Sequence, residues 1–290
     1  MELFLLQLLN GAVSGVFYGL MALGLSLILS LTRVINLAHG GFLVLGGYLG
    51  FTLQQATGFW PALLLAPLGV ALVGTVVERL IVRPLYRRDP LESLLLTFGL
   101  AMVVEELVRM IWGPVGVPFQ IPEGLRRPLF PGTSFFFVTG FRAFLIGTAI
   151  LVAAALFLFL GRTRIGLTIR AAVQDSETLS ALGTNVWRLY TLSFAIGVFM
   201  AGLAGVLAAG QLGLSPTMGS GLLMPSFVAL IIGGVGSLGG SFLGGLLVGM
   251  ASGLAGQFAA TASELSIYVL LALTLLLRPR GLFGQEGFFE

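Results

Sequence analysis

The chain has 290 residues, 57% of them hydrophobic and only 9% charged, with a mean hydropathy of +1.04 and a net charge of +3. A soluble domain carries about 25% charged residues, so a soluble fold of this size would lack the polar side chains to cover itself, and the composition leaves a polytopic membrane protein. Cysteine and lysine are absent and histidine occurs once, at His39. Disulfides, thiol chemistry, multi-histidine metal sites and a P-loop with its obligatory lysine are therefore excluded.

A membrane span takes about 20 apolar residues. The charge-free runs predict an all-α transmembrane helix bundle, a single domain over 1–290, with about nine spans (eight to ten fit the pattern) near 4–31, 36–55, 60–82, 92–112, 141–160, 190–211, 223–236, 242–261 and 265–278. Met1-Glu2-Leu3 opens without a basic n-region or a small-residue cleavage site, so a first span is expected there and not a removed signal peptide.

The first span holds the uncharged polar residues Asn10, Ser14, Tyr18 and Ser26 beside Gly11, Gly15 and Gly19. Next, Asn36-Leu-Ala-His39-Gly40-Gly41 follows Arg33 and reads as an interrupted or re-entrant start of the second span. Polar residues inside a membrane are functional candidates. Neutral donors and acceptors can line a route for a polar solute without trapping it, as a buried charge would. Asn10, Ser14, Tyr18, Asn36 and His39 are the candidate lining of such a route, with an interfacial His39 bonded to a carbonyl as the plain alternative. Glu78-Arg79 is expected at an interface, and Glu105 and Arg109, four apart, as an ion pair on one helix face.

Loop 113–140 carries five prolines and Phe135-Phe136-Phe137, which oppose regular helix. It reads either as an ordered cap on the membrane surface or as a connector. Loop 162–188 has a predicted helix of its own, opened by Asp175-Ser176 and closed by Gly183. Its face of Ala181 and Gly183, with Leu179 and Leu182 beside it, reads as a docking element for a cytoplasmic partner, the alternative being a solvated linker. Glycines four apart, as in Gly245, Gly249 and Gly253, predict close helix packing. Gly234-Val-Gly236-Ser-Leu-Gly239 matches G-x-G-x-x-G, but no strand precedes it and the next acid is Glu264. The stretch Gly233, Gly234, Gly236, Gly239 and Gly240 is expected instead to break a membrane helix or end a half-helix.

Eleven of the 15 arginines fall on one side if the N-terminus lies outside, leaving Arg109, Arg126, Arg127 and Arg142 on the other. The positive-inside bias then places the C-terminus in the cytoplasm and loop 113–140 outside.

Several stretches carry a family resemblance: GLMALGLSLILSLTRVINLAHGGFLVLGGYLG (19–50), ERLIVRPLYRR (78–88), the loop from 161 to 207, GGVGSLGGSFLGGLLVG (233–249) and LLLRPRGLFG (275–284). In order and spacing they closely resemble the H-type (LivH-like) permease subunits of the branched-chain amino acid ABC importers, nearly end to end, with loop 113–140 matching least. The resemblance implies a bacterial inner-membrane permease that pairs with an M-type paralogue. Two cytoplasmic ATPases that bind ATP and Mg would sit below it, and an extracytoplasmic binding protein would deliver substrate. No cofactor in this chain and no nucleic-acid partner are implied. It likens Arg170, Ala171, Ala172, Asp175, Glu177, Leu179, Ala181, Leu182 and Gly183 to the coupling-helix region, with Thr184 where the family usually carries Ile. Permeases for urea or short amides share the pattern and are the alternative. An ion-coupled secondary transporter would want buried midplane acids, which spans one, two, six, seven and eight lack. A membrane enzyme would want an acid–base constellation, and none is legible.

Overall fold

The structure is a computed structural model and describes residues 2–86, 88–130 and 138–284. Met1, Arg87 of the 78–88 stretch, Pro131 and Phe135-Phe136-Phe137 of loop 113–140 and the tail from 285 onward lie outside the described residues.

Twelve α-helices are present among the described residues. Nine have 16 residues or more: α1 (Glu2–Thr32), α2 (His39–Thr57), α3 (Phe59–Val77), α4 (Pro90–Trp112), α6 (Gly140–Arg162), α9 (Val186–Leu212), α10 (Met218–Gly233), α11 (Leu238–Ala255) and α12 (Ala260–Leu277). The three short ones are α5 (Glu123–Arg126), α7 (Arg164–Gln174) and α8 (Ser176–Ala181). Six of the long helices are apolar and long enough to cross a membrane by length and composition alone. Each of the nine expected spans has its helix, but the last four start four or five residues early, at Val186, Met218, Leu238 and Ala260. The small residues Gly219, Ser220, Gly239, Gly240, Ser241 and Ala262 are incorporated into helix there because the packing of neighbours, not propensity, decides membrane helices.

The middle of the bundle is α1 and α9, each 78% buried along its most apolar stretch, whereas α12 is 6% buried and lies at the rim. Glycine sets how close the central helices come. On α1, Gly11, Gly15 and Gly19 face Gly245, Gly249 and Gly253 of α11, and a Cβ added at Gly11 would stand 2.7 Å from the Gly249 oxygen. On the other side Gly24 meets Gly197 of α9, while Gly46 and Gly47 of α2 lie against Gly202 and Gly205 of α9. The two glycine ladders on α1 and α11 are thus the two halves of one seam.

Loop 113–140 is ordered where it is described. Val117 and Leu214 exchange backbone hydrogen bonds of 3.2 Å, Leu129 donates to the Val138 carbonyl at 2.8 Å, and Phe119 is buried in an aromatic cluster with Phe59 and Phe144. These contacts cover the ends of α3, α6 and α9, which suits a cap better than a bare connector.

Candidate functional site

The α6–α9 loop is built by a succession of caps. Thr163 closes α6 and opens α7, its hydroxyl accepting from the Gly166 amide at 3.0 Å. Gly166, Ile169 and Ala172, three apart, turn inward and seat α7 on the bundle, leaving Arg170 outward. Asp175, in extended backbone, then caps α8. Its Oδ1 accepts from the amides of Glu177 at 3.0 Å and Thr178 at 2.9 Å, and its Oδ2 from the Thr178 hydroxyl. The Thr178 hydroxyl and amide, followed by the Glu177 amide, hold this carboxyl below the usual carboxylate range. The helix stops at Gly183, whose φ is +87° and whose follower Thr184 donates back to the Leu179 carbonyl at 3.2 Å. Both expected ends of this helix are where the sequence put them. Ala181, Leu182 and Gly183 are exposed, Leu182 to 77%, and Leu179 is half-buried. Of the residues likened to a coupling region, Ala172 is the one fully turned into the bundle.

A cleft of about 980 Å³ opens behind this loop. Its walls include Arg33, Tyr86, Asp175, Glu177, Trp187 and Tyr190, so the end of α1, the end of α3 and the start of α9 converge on it.

The second candidate lies at the junction of α1 and α2. Arg33 leaves α1 with a φ of +56°, the one positive φ outside glycine among the described residues. Thr97 of α4 pins the link that follows, accepting from the Leu37 amide at 3.2 Å and donating to the Ile35 carbonyl at 3.1 Å. Asn36 and His39 are both buried, and neither Asn36's amide group nor the His39 ring makes a side-chain hydrogen bond of ordinary geometry. The ring lies against Gly24, where a Cβ would stand 2.9 Å from Nε2. Asn10, Ser14 and Tyr18 are separate from this pair. They are half-buried and four apart, a stripe along α1 beside its glycine seam. Tyr18 and Gly24 are six residues apart, about 9 Å of helix rise, so the structure does not gather the five expected route residues into one site.

The glycine stretch makes a sharp hairpin. α10 ends at Gly233, and Gly234 and Gly236 take φ values of +101° and +89°; Ser237 then caps α11 by accepting from the Gly240 amide at 3.1 Å. Gly233 and Gly240 lie back to back. The segment after α12 closes over the turn, with Leu282 and Phe283 donating to the carbonyls of Ile232 and Gly233 at 2.8 and 3.1 Å. The G-x-G-x-x-G match is therefore a helix–helix turn, and α10, with 16 residues, rises only about 24 Å.

One cluster escaped the sequence reading. Glu78 is fully enclosed and paired with Arg83, while its neighbour Arg79 is exposed. A spacing of five does not share an α-helical face; a π-turn over Glu78–Val82 brings the two together. Glu105 and Arg109 do pair across one turn of α4, as their spacing of four required.

A bundle of apolar, membrane-length helices with a glycine-seamed centre and a capped loop standing clear at one end defines the class: a polytopic helical membrane protein. The chain belongs to the family described as branched-chain amino acid transport system / permease component, matched over residues 7–277. It is 30% identical to the high-affinity branched-chain amino acid transport system permease protein LivH of Salmonella typhimurium over 97% of this chain and 96% of that one. It is equally similar, over the same shares, to the permease protein BraD of Pseudomonas aeruginosa. It is 28% identical to LivM of Salmonella typhimurium, over 93% of this chain and 68% of the longer relative. Among solved structures, PsaBC from Streptococcus pneumoniae in complex with Fab shares the fold, with a TM-score of 0.51 and 12% identity over 92% of this chain and 89% of that one.

Proposed function

We propose that the chain is the H-type membrane subunit of an ATP-binding-cassette importer that carries leucine, isoleucine, valine or related amino acids into the cytoplasm. One observation carries this reading: the family match runs from residue 7 to 277 and includes a capped, outward-standing α8 suited to engage another protein. An M-type permease is the proposed partner in the membrane, since the chain is similar to both LivH and LivM. Two cytoplasmic ATPases supply hydrolysis, an extracytoplasmic protein delivers substrate, and the chain itself holds no cofactor and forms one domain in a bacterial inner membrane. Arg170, Asp175, Glu177, Ala181, Leu182 and Gly183 are the proposed ATPase-facing residues. Asn36 and His39 are proposed to shape the inner part of the route, and Asn10, Ser14 and Tyr18 its outer part.

The test is leucine uptake by proteoliposomes containing this chain, its M-type partner, the ATPases and the binding protein. Uptake should need internal ATP and vanish without the ATPases; uptake driven by a proton or sodium gradient in their absence would sink the reading. Two variants divide the site. Ala181→Trp should insert normally and lose ATPase co-purification, whereas Asn36→Leu with His39→Leu should keep the ATPases and lose uptake. Ala181 is the better probe than Gly183, because a side chain at φ +87° strains the backbone whatever the space around it. Normal uptake in either variant removes the residues concerned from their assigned role.

A further inference from the structure

Glu78 is a carboxylate wholly enclosed near the end of a membrane helix, and such a charge is costly unless it is paired and fully hydrogen-bonded. It is. Oε1 accepts from the Tyr86 hydroxyl at 3.1 Å and from Arg83 Nε at 3.3 Å. Oε2 accepts from the Thr191 hydroxyl at 2.8 Å and from Arg83 Nη2 at 3.4 Å. Arg83 Nη2 also donates to the Thr191 oxygen at 2.6 Å, and its guanidinium lies 5.4 Å from the centre of the Trp187 ring. Trp187 stacks in turn on Tyr86, their planes 14° apart.

These residues come from two elements. Glu78, Arg83 and Tyr86 form the irregular end of α3, and Trp187 and Thr191 belong to the first turns of α9. Four residues, 182–185, separate α8 from α9. Tyr86 and Trp187 also wall the cleft whose other side is Asp175 and Glu177. The network therefore sits where the exposed loop is rooted in the bundle.

Farther along, α3 and α9 meet through small and branched side chains, Gly74 with Val198 and Val70 with Gly202. Such contacts resist separation, but the attraction behind them is non-directional. Charge-assisted hydrogen bonds with fixed angles hold one register. An apolar cluster of equal volume would stabilise the fold at least as well as a buried ion pair. What the ion pair adds is geometry. We propose that Glu78, Arg83, Tyr86 and Thr191 form a joint that carries movement of the α7–α8 loop into α3 and α9, with Glu78 a positioning residue that acts on transport without touching substrate. This rests on the importer reading above.

The experiment uses the assembled complex in proteoliposomes, with leucine as the probe and with transport and ATP hydrolysis measured together. Wild type comes first: no ATP-dependent uptake there refutes the importer reading and not the joint. Thr191→Val keeps the shape and removes the bridging hydroxyl; Glu78→Gln removes the charge. Thr191→Val should assemble with the ATPases and hydrolyse ATP while leucine moved per ATP falls about fivefold, the factor that about 1 kcal/mol in one hydrogen bond corresponds to; Glu78→Gln should lower the same ratio at least as far in the complex that assembles, since it also leaves Arg83 unpaired. Thr191→Ser should restore it. A structural brace would change the amount of complex and not this ratio. An unchanged ratio in Thr191→Val, or a loss of uptake that only follows the yield of complex, overturns the joint. So does failure of Thr191→Val to accumulate where Thr191→Ser accumulates and couples normally.

Discussion

Asp175 shows how one side chain fixes the start of an exposed helix. Its carboxylate accepts from the amides of Glu177 and Thr178, two of the donors that a helix N-terminus leaves unpaired, and from the Thr178 hydroxyl. Those bonds favour the ionised form and lower its pKa in the fold. The sign follows directly: a depressed carboxylate pKa contributes order that is fully present above the unfolded value, near 3.9, and is lost as pH falls through the folded value. The cap should therefore be unaffected between neutral pH and about pH 5 and release only in stronger acid. Amide hydrogen exchange reads this site. At neutral pH the Glu177 and Thr178 amides should exchange faster in Asp175→Ala and stay protected in Asp175→Asn, which keeps the accepting oxygen. Equal exchange in all three would show that the loop needs no cap. Glu78 makes the opposite case, because its partner stands five residues on, and a 3.6-residue period gives no reason to join them.

The helices divide by what their glycines touch. A Cβ at Gly15 would stand 2.9 Å from the Leu246 Cα, closer than real contacts allow, whereas at Gly99 of α4 nothing lies within 4 Å. Gly15→Ala must push α1 from α11 and should cost about 1–3 kcal/mol, as overpacking does. Gly99→Ala should gain about 0.5–1 kcal/mol from backbone entropy. Thermal melting of the purified protein should move in opposite directions for the two, and a shared direction would remove the seam's special status. This contrast marks what the sequence could carry. The ladders at 11, 15, 19 and at 245, 249, 253 announced close packing, because spacing by four is visible in one chain. Their pairing with each other was not announced, since nothing local says which ladder meets which. The loop helix was legible at both ends through Asp175 and Gly183, whose chemistry acts within a few residues. By contrast, α7 went unnamed although it is markedly amphipathic, with Gly166, Ile169 and Ala172 recurring at helical spacing opposite Arg164 and Arg170, so this signal was present in the sequence. Asn36 and His39 stand out in the sequence as polar residues among apolar ones, yet their burial, with His39 against Gly24 and the link held by Thr97, depends on helices that meet only in the fold.

Across the whole molecule, the chain ends of the helices sort into two sets. One holds Arg33, Tyr86, α7, α8 and the α9 start around the cleft, and a hydrogen-bonded cover joins residues 282–283 to the α10–α11 turn. The other joins loop 113–130 to the α9–α10 link through Val117 and Leu214, and to α2 through the Gln54 amide on the Gln120 carbonyl. If all nine long helices among the described residues cross the membrane in alternation, as the sequence reading expects, these two sets fall on opposite sides. The first set carries the larger arginine share, so the positive-inside bias predicts that it faces the cytoplasm. The native chain has no cysteine, so single cysteines can be labelled against a clean background. Two positions make the experiment unambiguous, because both are open to solvent and only sidedness can separate them. Gly124 has nothing within 4 Å of an added Cβ, and Leu182 is 77% exposed. In spheroplasts a membrane-impermeant thiol reagent should label Gly124→Cys at once and leave Leu182→Cys untouched until the membrane is permeabilised. Immediate labelling of Leu182→Cys with protection of Gly124→Cys would invert the topology. It would also turn α8 away from the ATPases it is proposed to meet, so the importer assignment of that loop would fall with it.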